Sequence, residues 1–189
     1  MSDSKSTGMS EAKRRLLEQW RKGGGAAVTP KAAQKAATGI PPRGDDGPAP
    51  LSFSQQRFWF LHQLEPESPA YHLSRVVRLR GPLDRDALTR AVAELVARHE
   101  SLRTVFPDTA EGARAVLLPV ERVALRIETL DATDEAALDA FSDRTVRAPF
   151  DLTDGPLFRP CLAVLADDDH VLALAMHHIL SDGWSLGVL

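Results

Sequence analysis

Apolar and polar positions recur along this chain with two periods, and the changes between them lay out the elements. Near the end, Val171-Leu172-Ala173-Leu174-Ala175 is apolar at every position and predicts a buried strand. Leu162 to Leu165 precedes it across the acidic stretch Ala166-Asp167-Asp168-Asp169-His170, and the two runs predict a hairpin with a solvated turn. Pro160 has no N–H to give a ladder, so the first of these strands is expected to be irregular or to lie at a sheet edge. Val76 to Leu79, among Arg75, Arg78 and Arg80, predicts another strand, stopped by Gly81-Pro82. Ala115 to Pro119 and Ala124 to Leu130 are further strands, the second with Leu125, Ile127 and Thr129 in alternation.

The helical period appears between them. Asp84 caps a helix whose apolar stripe is Ala87, Leu88, Ala91, Val92, Leu95 and Val96. Ser52 offers a cap for an aromatic helix through Phe58, Trp59 and Leu61, whose rings are read as core. Thr133 caps a third, to about Val146, with Ala137, Leu138 and Phe141 inward. Ser10 to Lys22 is a short leader helix carrying Leu16, Leu17 and Trp20 on one face. It packs on the body of the chain or, through Leu17 and Trp20, docks an upstream protein. Gly23-Gly24-Gly25 ends it, and residues 23–50, rich in Gly, Ala, Pro and Thr, read as a flexible linker.

Charge supports a division near residue 50. Residues 1–50 carry nine Lys or Arg against five Asp or Glu, whereas 51–189 carry fourteen against twenty-one. The acidic body argues against nucleic acid as the main partner. The lone cysteine, Cys161, gives no disulfide framework and suits the cytoplasm. No apolar run reaches the length of a membrane span, and the first residues are not a signal peptide.

The chemistry gathers after the last strand, in Met176-His177-His178-Ile179-Leu180-Ser181-Asp182-Gly183-Trp184-Ser185. Three readings of the histidine pair stand side by side. The two are polar residues at a strand end; or they are metal ligands; or one is a general base whose tautomer a neighbouring acceptor sets. Adjacent strand residues point to opposite faces, so the two imidazoles are not expected to share a metal ion, and no metal site is expected.

His177-His178-x-x-x-Asp182-Gly183 resembles the active-site signature of the condensation domains of nonribosomal peptide synthetases, in the chloramphenicol acetyltransferase-like superfamily. Two further stretches match in the family's order. Ser52, Gln55, Arg57, Trp59 and Leu61 resemble its first motif. Arg98-His99-Glu100-x-Leu102-Arg103-Thr104-x-Phe106 resembles its second. Ala148-Pro149-Phe150-Asp151-Leu152 and Gly155-Pro156-Leu157-Phe158-Arg159 are also typical of its first lobe. The resemblance implies an α/β two-layer sandwich, the N-terminal lobe of a condensation domain over residues 51–189, after a leader (1–22) and linker (23–50).

It implies amide formation between a donor acyl-thioester and an acceptor aminoacyl-thioester, each on the phosphopantetheine arm of a peptidyl carrier protein, with no cofactor bound directly. By this resemblance His178 addresses the acceptor amine, as base or as anchor, and His177 packs. Asp182 holds the loop, and Gly183 permits a tight turn and close approach. Arg98, Arg103 and Trp184 are structural support, with Arg103 the expected ion-pair partner of a buried Asp182. Asp182-Gly183-Trp184-Ser185 after Met-His-His suggests a domain joining L-residues. Expected partners are the upstream and downstream carriers, the facing C-terminal lobe and an adenylation domain. The lobe alone is expected to be inactive. The alternatives are a free-standing acyltransferase acting on an alcohol or amine, and a non-catalytic docking or scaffold fragment.

Overall fold

A computed structural model of the chain describes residues 18, 44, 47–131 and 135–188. Two compact units are distinguished, Met1–Asp45 and Asp46–Leu189, and the elements given below are those of the described residues in the second. Leu17, Trp20 and the Thr133 cap lie outside the described residues.

The element order is β1 (Ala49–Pro50), α1 (Phe53–Leu64), β2 (His72–Arg80), α2 (Arg85–Arg98), β3 (Thr104–Val105), β4 (Arg114–Leu117), β5 (Arg126–Thr129), α3 (Glu135–Arg147), β6 (Phe158–Ala166) and β7 (Asp169–His177). The last residues assigned to the linker, Ala49 and Pro50, instead pair with β4, because a short strand there closes the small sheet β1-β4-β3. The larger sheet runs β2-β7-β6-β5, antiparallel except for the parallel β5–β6 pair.

The apolar run 171–175 is the strand second from one edge, and alternation divides its side chains between two cores. Leu172, Leu174 and Met176 face Val92 and Val96 of α2, with Phe158, Leu162 and Val164 of β6 beside them. Val171 and Ala173 face Phe141 of α3, with Cys161, Ala163 and Leu165. Helices therefore cover both faces of this α/β sheet. A third cluster joins the small sheet to the site: Val105, Phe106, Phe150, Leu152, Leu157, Ala175 and Ile179, with Phe58 and Trp59 of α1 against it.

The strands expected around Pro160 and over 124–130 both form, and each carries one local feature of burial. Pro160 is fully buried in an inner strand, opposite Leu174. The β5 pairing begins only at Cys161, so at Pro160 the strand is paired on one side alone. Ile127 is exposed despite its alternation, because β5 is the edge strand and only Leu125, just before it, reaches the core.

Helix starts follow local chemistry. Ser52 and Gln55 form a reciprocal capping box on α1: the Gln55 N–H donates to Ser52 Oγ at 3.3 Å, and the Ser52 N–H to Gln55 Oε1 at 2.9 Å. Asp84 caps α2 by accepting from the Ala87 N–H at 2.8 Å. The Trp59 indole N–H donates to the Phe106 carbonyl at 3.1 Å and ties α1 to the small sheet. Arg159 closes the far end of α3, donating to the carbonyls of Thr145, Ala148 and Pro149 at 2.9–3.0 Å while its guanidinium lies over the Phe150 ring.

Candidate active site

The site is built where β7 ends. His177 pairs with His72 of β2, and the next N–H, that of His178, donates to the Tyr71 carbonyl at 2.8 Å. Alternation then sends the two imidazoles apart. His177 turns into the fold and is 2% exposed. His178 is half-buried and lines a cleft of about 430 Å³ between the N-terminal turns of α1 and the loop 178–185.

His177 is buried and held neutral. Its Nδ1 accepts from the Ile179 N–H at 3.1 Å, so in the neutral ring the proton sits on Nε2. Phe58, His62, His72 and Phe150 surround it, with ring centroids 5.8–6.5 Å away. Burial pushes its pKa down to about 3, with further depression from His62, His72 and His178. His62 and His72 are also held low, each first by burial. His72 is oriented by donating from Nδ1 to the Val146 carbonyl at 2.9 Å.

His178 lies face to face with Phe58, centroids 4.7 Å apart and planes 21° apart. Its Nδ1 is buried without a hydrogen-bond partner among the described residues. The ring nitrogen left to meet a ligand in the cleft is therefore Nε2.

Asp182 departs from expectation. It is exposed, and it accepts from the Ser185 N–H at 2.9 Å and the Ser185 hydroxyl at 2.7 Å. These bonds hold its carboxyl below the usual range. Arg103 is not its partner. Arg103 donates to the Leu118 carbonyl at 2.9 Å and lies 3.7 Å from Glu100. Solvent and Ser185 stabilise the Asp182 charge, so no buried cation is required, and the Arg103 fork serves the β3–β4 junction instead. Arg98 is exposed at the end of α2, and Trp184 is 86% exposed; neither supports the loop by burial.

Gly183 has no positive φ, and a Cβ built on it meets nothing within 4 Å. The turn thus does not demand glycine, although the open space beside it leaves room for close approach. His99 ends α2, its N–H donating to the Leu95 carbonyl at 3.0 Å. Ser181 donates to the thioether of Met176 at 2.9 Å and anchors the middle of the loop.

Three relationships were not among the expectations: Phe58 beside His178, the histidines behind His177, and Ser185 as the partner of Asp182. Only the last had a local signal, an acid three residues before a serine, which is helix-cap spacing. A larger cavity, about 550 Å³, lies elsewhere, among Arg122, Arg126, Arg144, Arg159 and the end of α3, and includes neither His178 nor Asp182. Among the described residues no group of three or more His, Cys, Asp or Glu is placed to hold a metal ion, and no helix is long and apolar enough to cross a membrane.

The arrangement can present one imidazole Nε2 to a ligand lying across the mouth of the cleft, over a loop braced by Asp182 and Ser185. Several known proteins are similar to this chain. Malpibaldin synthetase of Mortierella alpina is 46% identical over 146 residues, covering 75% of this chain and 3% of that protein. The first condensation domain of the calcium-dependent antibiotic synthetase, solved with a substrate analogue, superposes with a TM-score of 0.65 at 28% identity, over 75% of this chain and 35% of that one. The X-domain from teicoplanin biosynthesis, solved in complex with OxyB, gives 0.66 at 34% identity, over 84% of this chain and 34% of that one. The chain thus spans about a third of the solved domains and a small part of the synthetase it resembles. The family model for the condensation domain matches residues 46–189, and with the histidine pair at the end of β7 this establishes that the chain belongs to the condensation-domain family.

Proposed function

We propose that this chain forms one wall of a site that makes an amide bond in nonribosomal peptide synthesis. The acceptor amine nitrogen attacks the carbonyl carbon of a donor thioester. A tetrahedral oxyanion forms and collapses, the C–S bond breaks, and the proton lost by the amine ends on the departing thiolate. Alignment of the two reactants supplies most of the acceleration, and His178 assists at the nitrogen. The observation that carries this reading is the division of labour in the pair. His178 faces an open cleft, while His177 is sealed behind it.

Donor and acceptor arrive on the phosphopantetheine arms of carrier proteins, so the chain itself needs no bound cofactor. Met176-His177-His178 with Asp182-Gly183-Trp184-Ser185 favours L-configured residues on both sides of the new bond. The protein works in the cytoplasm, beside an adenylation domain. Because the solved domains extend well beyond the matched part, residues 1–189 alone are expected to yield no product. A second reading draws on the X-domain, whose solved complex with OxyB favours a docking role for this fold.

One experiment separates the two. The full-length protein and its His178→Ala variant are supplied with two loaded carriers, and dipeptide is followed by mass spectrometry. Loss of about 10²–10⁴-fold in product rate, with unchanged folding, supports amide formation. An unimpaired variant removes that reading and leaves docking.

A further inference from the structure

We propose that Phe58 is a positioning residue for the reaction at His178, a role that rests on amide formation being the function of the site. An imidazole that moves protons is ordinarily aimed by a hydrogen bond at its second nitrogen. His178 has none: Nδ1 is buried and meets neither carboxylate nor carbonyl among the described residues. Its Cα is fixed, because its N–H is held by the Tyr71 carbonyl. The side-chain torsions are not fixed by that bond. What lies against the ring is the face of Phe58, at 4.7 Å and 21°.

Phe58 is itself gripped. Tyr71 meets it edge-on at 5.4 Å, and His177 lies perpendicular to it at 6.5 Å. Its helix is anchored at the next residue by the bond from Trp59 to Phe106. The same Tyr71 therefore holds the backbone of His178 and contacts the ring that stacks on it. A flat face restricts rotation of a flat partner, which a branched aliphatic side chain of similar volume does not. Phe58 thus sets the plane of His178 and keeps Nε2 turned toward the cleft.

The test uses the full-length protein with loaded carriers and compares Phe58→Leu, Phe58→Tyr, Phe58→Ala and His178→Ala. Phe58→Leu should lower kcat on the order of tenfold or more, toward the ~10²-fold that misplacement of a reacting group costs, with KM for the acceptor changed less than about threefold. Phe58→Tyr keeps the ring and should restore most of the rate. If Phe58→Ala fails to fold, the Leu and Tyr pair still decides. A Phe58→Leu protein with the parent kcat would overturn the proposal and leave Phe58 as packing. A fully active His178→Ala protein would instead remove the underlying function.

Discussion

The Ile179 N–H donates to Nδ1 of His177 at 3.1 Å, so the buried imidazole is the acceptor that pins the first turn of the loop after it. The residue between them, His178, is held by that turn on one side and by the Tyr71 carbonyl on the other. The inner histidine thereby determines where the outer one stands.

Replacing His177 with Ala removes that acceptor and leaves the Ile179 N–H buried and unpaired. It also opens a cavity among Phe58, His72 and Phe150. We expect a stability loss of about 2–4 kcal/mol, read from the urea midpoint. A loss below about 1 kcal/mol contradicts a structural role for this ring.

Acid should act on the same cluster. The pKa of His177 lies below its unfolded value of 6.5, so beneath that pH the unfolded chain takes up a proton that the fold refuses. Stability contributed by His177 is unaffected above pH 6.5, falls as pH drops from 6.5 toward 3, and then levels. The loss by pH 5 is about 2 kcal/mol from this group, with His62 and His72 adding in the same direction. Denaturant midpoints measured between about pH 7 and pH 4 should decline, and should decline less in His177→Ala.

Arg103 and Asp182 are engaged with different partners, the Leu118 carbonyl and Ser185 respectively. A double-mutant cycle of Arg103→Gln and Asp182→Asn should give a coupling within about 0.5 kcal/mol. A coupling well above about 1 kcal/mol indicates a direct ion pair.

Gly155 has φ +62°, and a Cβ built there lies 2.6 Å from Cγ1 of Val105. Both the backbone and the space exclude a side chain. Gly155→Ala should cost about 1–3 kcal/mol, checked by thermal unfolding, and should exceed the cost at Gly183, where a Cβ meets nothing.

What the chain's order of residues decided alone is local. The period-3.6 stripe of 88–96, the Ser52–Gln55 spacing, the Asp84 cap and the unbroken apolar run 171–175 each act within a few residues, so they are readable without knowing the neighbours. Strand alternation likewise separated His177 from His178, and the histidine pair with Asp182-Gly183 pointed to the family. The fold decided what depends on contacts far apart in sequence. Pro160 is buried by tertiary packing yet keeps a free ladder side, because β7 flanks it and β5 starts one residue later. Ile127 became exposed because β5 is the last strand of its sheet. Phe58, His62 and His72 came to surround His177 only through the packing of α1 and β2 on the end of β7, and no spacing rule spans those distances. Asp182 keeps its charge at the surface, where water and Ser185 solvate it, and a carboxylate that is not buried needs no cation.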